Sequence, residues 1–316
     1  MIVELHAQTN VGRVRQGNED NFLALDLSTA RGWTGSDNVS TPPAELLRFE
    51  PGPHGLVLVV SDGMGGALAG DVASRMAIES VREKMLNGVA SSDSDAGAAT
   101  NGPALVDRLF NATGYANHEI HRKSLEDARC SGMGATLTAA AVSGQTLDFV
   151  QVGDSRAYVV RGKQIKLATK DQSLVQQLVD VGQITELDAE THMFRNVILQ
   201  ALGAQRDLTP VVTRVHLRRG DTVLLCSDGL SGKMRAEEMR EIVAQAETDL
   251  TIACQQLIEL ANQRGGEDNI TVLLARFDGA PLAPPTSDDI AIEQLEPDDD
   301  EDNTLSGHED DTSPLP

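Results

Sequence analysis

Five stretches of the chain place acidic side chains where a strand begins or ends. Asp62 closes the aliphatic run Leu56-Val57-Leu58-Val59-Val60-Ser61 and is followed by Gly63-Met64-Gly65-Gly66. Asp228 closes Val223-Leu224-Leu225-Cys226-Ser227 and precedes Gly229, so Ser-Asp-Gly occurs twice after an apolar strand. Asp268, in Gly265-Gly266-Glu267-Asp268-Asn269, and the pair Glu19-Asp20 sit at strand starts, and Asp154 lies between two strands in Val152-Gly153-Asp154-Ser155-Arg156. Singly, an acid beside a glycine is an ordinary solvated turn. Together, at one end of neighbouring strands, these carboxylates would repel one another unless a cation sat among them, and hard oxygen donors suit Mg²⁺ or Mn²⁺. Cys130, Cys226, Cys254 and the scattered histidines offer no zinc spacing. Arg15, one short turn before Glu19, is a candidate phosphate clamp, because a guanidinium binds two phosphoryl oxygens at once.

The elements that must position these residues follow from pattern. Residues 2–8, about 20–27, 56–61, 135–142, 146–152, 156–161, 211–217, 222–227 and 269–277 read as strands. Helices are expected over 69–86, 103–127, 173–182, 185–191, 235–245 and 250–264. Strands cluster apart from helix pairs, which favours an antiparallel α+β arrangement over a doubly wound parallel sheet. Residues 28–54, rich in Gly, Ser, Pro and Thr, and the low-complexity stretch 88–102 read as irregular insertions. The expected domain is 1–279, followed by a disordered acidic tail, 280–316.

Charge is uneven. The formal net charge is -22, and Pro281–Pro316 holds twelve acids and no Lys or Arg, leaving -10 for residues 1–280. An acidic body argues against nucleic acid as a partner. The N-terminus lacks a signal-peptide pattern, no apolar run is long enough for a membrane span, and the cysteines show no disulfide framework; a cytoplasmic protein without a membrane partner is expected. A cysteine-phosphatase mechanism needs Cys and Arg six positions apart, and Thr136, Gly232 and Leu260 stand there instead. No P-loop is present.

Six stretches in this order resemble the metal-dependent protein phosphatase family, type 2C, in its bacterial form. They are Gly12-Arg13-Val14-Arg15-Gln16-Gly17-Asn18-Glu19-Asp20, Ser61-Asp62-Gly63-Met64-Gly65-Gly66, Gly132-Met133-Gly134-Ala135-Thr136, Val152-Gly153-Asp154-Ser155-Arg156-Ala157-Tyr158, Ser227-Asp228-Gly229-Leu230 and Gly266-Glu267-Asp268-Asn269-Ile270-Thr271. The resemblance implies a four-layer α-β-β-α sandwich with two central antiparallel sheets. It implies hydrolysis of phosphoserine and phosphothreonine on proteins by a hydroxide bridging two ions of Mg²⁺ or Mn²⁺, with a third ion in bacterial relatives.

Carried over by position, Asp62 bridges the two core ions and the Gly63 carbonyl ligates one. Asp228 and Asp268 complete the ligands of the first ion; Glu19 or Asp20 serves the second ion, directly or through water. Asp154 corresponds to the acid of the third ion, and Arg15 holds the substrate phosphate. Residues 174–200 correspond to a flap, so His192 and Arg195 are candidate substrate contacts. Two departures stand out: Met64 occupies a position where many eukaryotic members carry histidine, and Gln172 replaces the histidine of a frequent Asp-His-Ser triplet. Expected partners are a serine/threonine kinase and its phosphorylated targets, with the chain itself a monomer. The alternative reading is a non-catalytic phosphoprotein-binding or scaffolding module, which loss of a metal acid would favour; none is lost.

Overall fold

A computed structural model describes residues 1–35, 42–65, 69–93, 103–246 and 249–295. In chain order the strands are β1 (Ile2–Asn10), β2 (Asp20–Asp26), β3 (Arg31–Thr34), β4 (Arg48–Phe49), β5 (Leu56–Met64), β6 (Gly134–Ala135), β7 (Leu137–Ser143), β8 (Thr146–Val152), β9 (Arg156–Arg161), β10 (Gln164–Leu167), β11 (Val211–His216), β12 (Thr222–Cys226), β13 (Ile270–Asp278) and β14 (Glu293–Leu295). The helices are α1 (Ala44–Leu47), α2 (Ala69–Asp93), α3 (Leu105–Glu126), α4 (Leu174–Asp180), α5 (Glu186–Thr191), α6 (Asp228–Ser231), α7 (Ala236–Gln245) and α8 (Leu250–Gln263).

Two antiparallel sheets form the centre. One runs β10-β9-β12-β13-β1-β4; the other runs β14-β11-β8-β7-β5-β2-β3, with β6 paired to β5. The aliphatic runs have a direct physical reading. Side chains alternate faces along a strand, so in β5 Leu56, Leu58 and Val60 enter the layer between the sheets, beside Leu5, Phe22, Phe149, Leu225 and Leu273. Val57 and Val59 face outward onto Ala73, Ala77 and Val81 of α2 and Leu109 and Ala116 of α3. In β13 Leu273, Ala275 and Phe277 point inward, while Ile270, Val272 and Leu274 meet Met239 and Val243 of α7 and Ala253, Leu257 and Ala261 of α8. Strands buried on both faces need continuous apolar sequence, and the result is the expected α-β-β-α sandwich.

Three expectations change. In the first insertion the described residues 28–35 and 42–54 are anchored, with 36–41 lying outside the described residues: Trp33 in β3 is buried edge-on against Phe22 (centroids 4.8 Å apart), Leu46 in α1 is buried, and β4 pairs with β1. Helix α2 runs on to Asp93; residues 94–102 of the second insertion lie outside the described residues. The expected disorder after Gly279 does not hold for the first part of that segment. Leu282 and Ile290 are fully buried, and β14 pairs with β11. Arg161, in a buried ion pair with Asp221 (2.7 Å), donates to the Asp289 carbonyl, and Lys166 to that of Ile290. Two apolar side chains and backbone carbonyls with donors suffice to hold a segment whose average composition is polar. Residues 296–316 lie outside the described residues. No helix among the described residues is long and apolar enough to cross a membrane.

Candidate metal centre

The chain crosses repeatedly between the sheets at one end of the sandwich. Residues 11–19, carrying Arg15, lead from β1 in one sheet to β2 in the other; Gly153-Asp154-Ser155 lead back from β8 to β9. β5 ends there, with Asp20 opposite Asp62 in the β2–β5 register. In the facing sheet β12 ends and β13 begins at that level, with Cys226 opposite Val272 and Asn10 opposite Ile270. This topology gathers Glu19, Asp20, Asp62, Asp154, Asp228 and Asp268 at one end of the two sheets.

Hydroxyls and one amide lock the two sheets together beneath them. Ser227 and Thr271 each donate to Asp20 Oδ2 at 2.7 Å. The Asn269 side chain accepts from Glu19 N (2.8 Å) and donates to the Val11 and Gly17 carbonyls (2.9 and 3.0 Å), fixing both ends of the Arg15 loop. Thr136 Oγ1 accepts from Asp62 N (3.0 Å), and Thr136 N donates back to the Asp62 carbonyl. Gly63 N donates to the Glu19 carbonyl (3.1 Å), and a Cβ on Gly63 would collide with the Gly70 carbonyl oxygen, so only glycine fits beside the first turn of α2. Ser227, Thr271, Asn269 and Thr136 lie inside the recognised stretches, but their partners are up to 251 residues away and nothing local announces them.

The electrostatics are those of crowded, desolvated carboxylates. Burial, then the charges of Asp20 and Asp228, pushes Asp62 well above the usual carboxylate range. Burial outweighs the two hydroxyl donors and raises Asp20 to about 7; burial with Asp228 and Asp171 raises Asp154 to about 8. Asp228 is raised by burial and Asp268, and Glu19 by burial. One oxygen each of Asp20, Asp154 and Asp228 is buried without a hydrogen-bond donor. Orphaned buried oxygens and carboxylates that ionise reluctantly fit divalent cations, since a cation supplies the missing partner and removes the repulsion. The acids are spread along a rim: among the described residues no three acidic, histidine or cysteine side chains form a closed cage around one point.

Arg15 meets Asp268 at 2.8 Å and stays half-exposed at the lip. Lys233 pairs with Glu267, the neighbour of Asp268, and its hydrogen bond holds that carboxyl below its usual range, with the Arg195 charge adding a smaller part. His192 is turned to its own loop: its Nδ1 accepts from Phe194 N (3.2 Å), and no contact draws it to the acids among the described residues. Met64 stands in β5 opposite Gly134. Cys226, adjacent to the site, is pushed by burial to about 12 and is inert as a nucleophile.

Crowded, buried carboxylates with a guanidinium beside them fit a metal-dependent hydrolase of phosphate esters. A family model described as protein phosphatase 2C matches residues 47–270, taking in Asp62, Asp154, Asp228 and Asp268 and beginning after Arg15, Glu19 and Asp20. The serine/threonine phosphatase stp of Listeria monocytogenes is 33% identical over 276 residues, 87% of this chain and 96% of that protein. The crystal structure of serine/threonine phosphatase Stp1 from Staphylococcus aureus is similar with a TM-score of 0.72 at 29% identity, covering 88% of this chain and 96% of that one. The catalytic domain of serine/threonine protein phosphatase PstP, solved in complex with two manganese ions, gives 0.65 at 31% identity, covering 88% and 99%. The chain belongs to the protein phosphatase 2C family. It is a protein-serine/threonine phosphatase that depends on Mn²⁺ or Mg²⁺ and acts on phosphorylated proteins.

Proposed function

We propose that the acids at the sheet ends hold two core cations, with Asp62 bridging them. The Gly63 carbonyl, Asp228 and Asp268 serve one; Glu19 or Asp20 serves the other, directly or through water. Asp154 serves a third. The observation that carries this reading is the set of buried oxygens on Asp20, Asp154 and Asp228 without any donor. Bound cations supply Lewis acidity, which makes water nucleophilic near neutral pH and offsets phosphoryl charge.

The chain's own residues do the rest. Arg15 uses one arm on Asp268 and offers its remaining donors to phosphoryl oxygens, binding and orienting the group for in-line attack. Asp20, held by Ser227 and Thr271, keeps one oxygen free of protein donors. Met64 carries no transferable proton, so the departing seryl or threonyl oxygen takes its proton from water. Of the two flap candidates for a substrate contact, Arg195 keeps its donors available, whereas His192 spends Nδ1 on Phe194 N. The physiological setting that fits is a cytoplasmic monomer opposing a serine/threonine kinase.

The test is turnover of p-nitrophenyl phosphate and of a phosphothreonine peptide with Mn²⁺, with and without EDTA. Metal-dependent turnover of both is expected. A folded protein that turns over neither with Mn²⁺ would remove the catalytic reading and leave the binding module.

A further inference from the structure

Gln172 makes four hydrogen bonds that converge on two functional parts of the molecule. Its backbone N–H donates to the Gly153 carbonyl (2.8 Å), and its side-chain Oε1 accepts from Gly153 N (2.9 Å), so one residue grips both polar groups of the residue before Asp154. Its Nε2 donates to the Thr209 carbonyl (2.8 Å), and its own carbonyl accepts from Leu199 N (2.8 Å). Leu199 ends the segment that Gln172 begins, and just inside this pair Ser173 bridges Ile198 and Leu174 N donates to the Val197 carbonyl (2.9 Å).

The contacts matter because of what they join. Asp154 rides on a turn between sheets in which Gly153 has φ +98° and its Cα lies so close to Thr136 that a Cβ would stand 2.8 Å from Thr136 Cβ. That turn has no helix or ladder of its own: Gln151 and Thr138 hold its carbonyls from within the β7–β8 pair, and the Gly153 N–H is held by Gln172. The segment 173–198 has little core beneath it: neither α4 nor α5 contains a buried side chain, and Met193 and Phe194 are exposed. Its seat is therefore its base, where Gln172 sits. A carboxamide suits this position because it accepts and donates at once. A carboxylate keeps the Gly153 bond and faces the Thr209 carbonyl with no proton to give.

We propose that Gln172 is a positioning residue that fixes the Asp154 turn and the base of the 173–198 segment together, so that cation binding at Asp154 and phosphoprotein binding by the segment are coupled. This rests on the assignment of Asp154 to a cation. The variants are Gln172→Met, which keeps the length and loses both side-chain bonds, and Gln172→Glu, which keeps one. Each net hydrogen bond corresponds to roughly a 5–10-fold population change.

Amide hydrogen exchange on the metal-free protein is expected to rise about 10-fold at Gly153 and Leu199 in Gln172→Met, with β5 and β13 unchanged. In Gln172→Glu, protection at Gly153 is expected to return. Mn²⁺ titration followed by electron paramagnetic resonance is expected to show the weakest class of ion bound about 10-fold less tightly in Gln172→Met and lost in Asp154→Asn. The KM for a phosphothreonine peptide is expected to rise more than that for p-nitrophenyl phosphate. Unchanged exchange at Gly153 and Leu199 overturns the clamp. Mn²⁺ binding unchanged in Gln172→Met but altered in Asp154→Asn overturns the coupling. Binding unchanged in both overturns the proposal through the Asp154 assignment, with the exchange data still reporting the clamp.

Discussion

Removing the cations should make the protein lose stability as pH rises through the range in which most proteins are most stable. Asp20 is raised to about 7 in the folded metal-free state, chiefly by burial, whereas in an unfolded chain it titrates near about 3.9. Between these values the folded form holds a proton that the unfolded form has released. Stability then falls with increasing pH, at about 1.4 kcal/mol per pH unit per group. From pH 5 to 7, with the slope already falling off as Asp20 ionises near 7, that one group accounts for about 2 kcal/mol, which lowers Tm by roughly 4–8 °C at 2–4 °C per kcal/mol. Asp154, raised to about 8, extends the fall toward pH 8. Mn²⁺ binds the ionised carboxylates, so at about 100 times its Kd it restores about 2.7 kcal/mol and flattens the slope. The assay is differential scanning fluorimetry in EDTA and in Mn²⁺ at pH 5, 6, 7 and 8. Asp62→Asn should soften the slope in EDTA, because Asp62 repels Asp20, and should lose most of the Mn²⁺ rescue. A metal-free Tm that is level or rising from pH 5 to 7, parallel to the Mn²⁺-loaded curve, would refute the reasoning.

The remaining expectations concern single residues and the C-terminal segment. Asp228→Asn should lower kcat at least about 100-fold, beyond the loss typical of a metal site's outer-shell partner, while Glu4→Gln, on a surface ion pair with Arg48, leaves it within about 2-fold; steady-state kinetics decide. Arg15→Ala should lower kcat/KM by about 10–100-fold, the worth of a charge-assisted hydrogen bond, and unchanged constants would remove its phosphate role. Truncation after Gly279 exposes the sites of Leu282 and Ile290, each worth about 1.5–3 kcal/mol when buried, and should lower the urea midpoint; truncation after Leu295 should leave it little changed.

The motifs and the sandwich were legible because their causes are local. A run such as Leu56–Val60, apolar at every position, has to be buried on both faces, and Ser-Asp-Gly after it marks where the strand stops. Asp62, Asp228 and Asp268 stand at the same end of the two sheets. What stayed hidden depends on long-range pairing or on single anchors. Nothing near Asp20 indicates that Ser227 and Thr271 would hold one of its oxygens and leave the other bare, and the register opposite Asp62 exists only once β2 and β5 pair. Trp33 fixes residues 28–35 and Leu46 residues 42–54, and Leu282 and Ile290 fix 281–295. In each case one or two buried side chains outweigh a Gly-, Pro- or acid-rich average. Gln172 was visible as a departure from a common triplet, but its grip on Gly153 and Thr209 required the fold.

The central claim is that cations bind at Asp62 between the sheet ends, and anomalous scattering at the manganese edge from crystals grown with Mn²⁺ tests it most directly. Two strong peaks sharing Asp62 are expected, one also touching Asp228 and Asp268 and the other on the Glu19–Asp20 side. Peaks confined to other acids, or none at Asp62 in crystals of active protein, would contradict it.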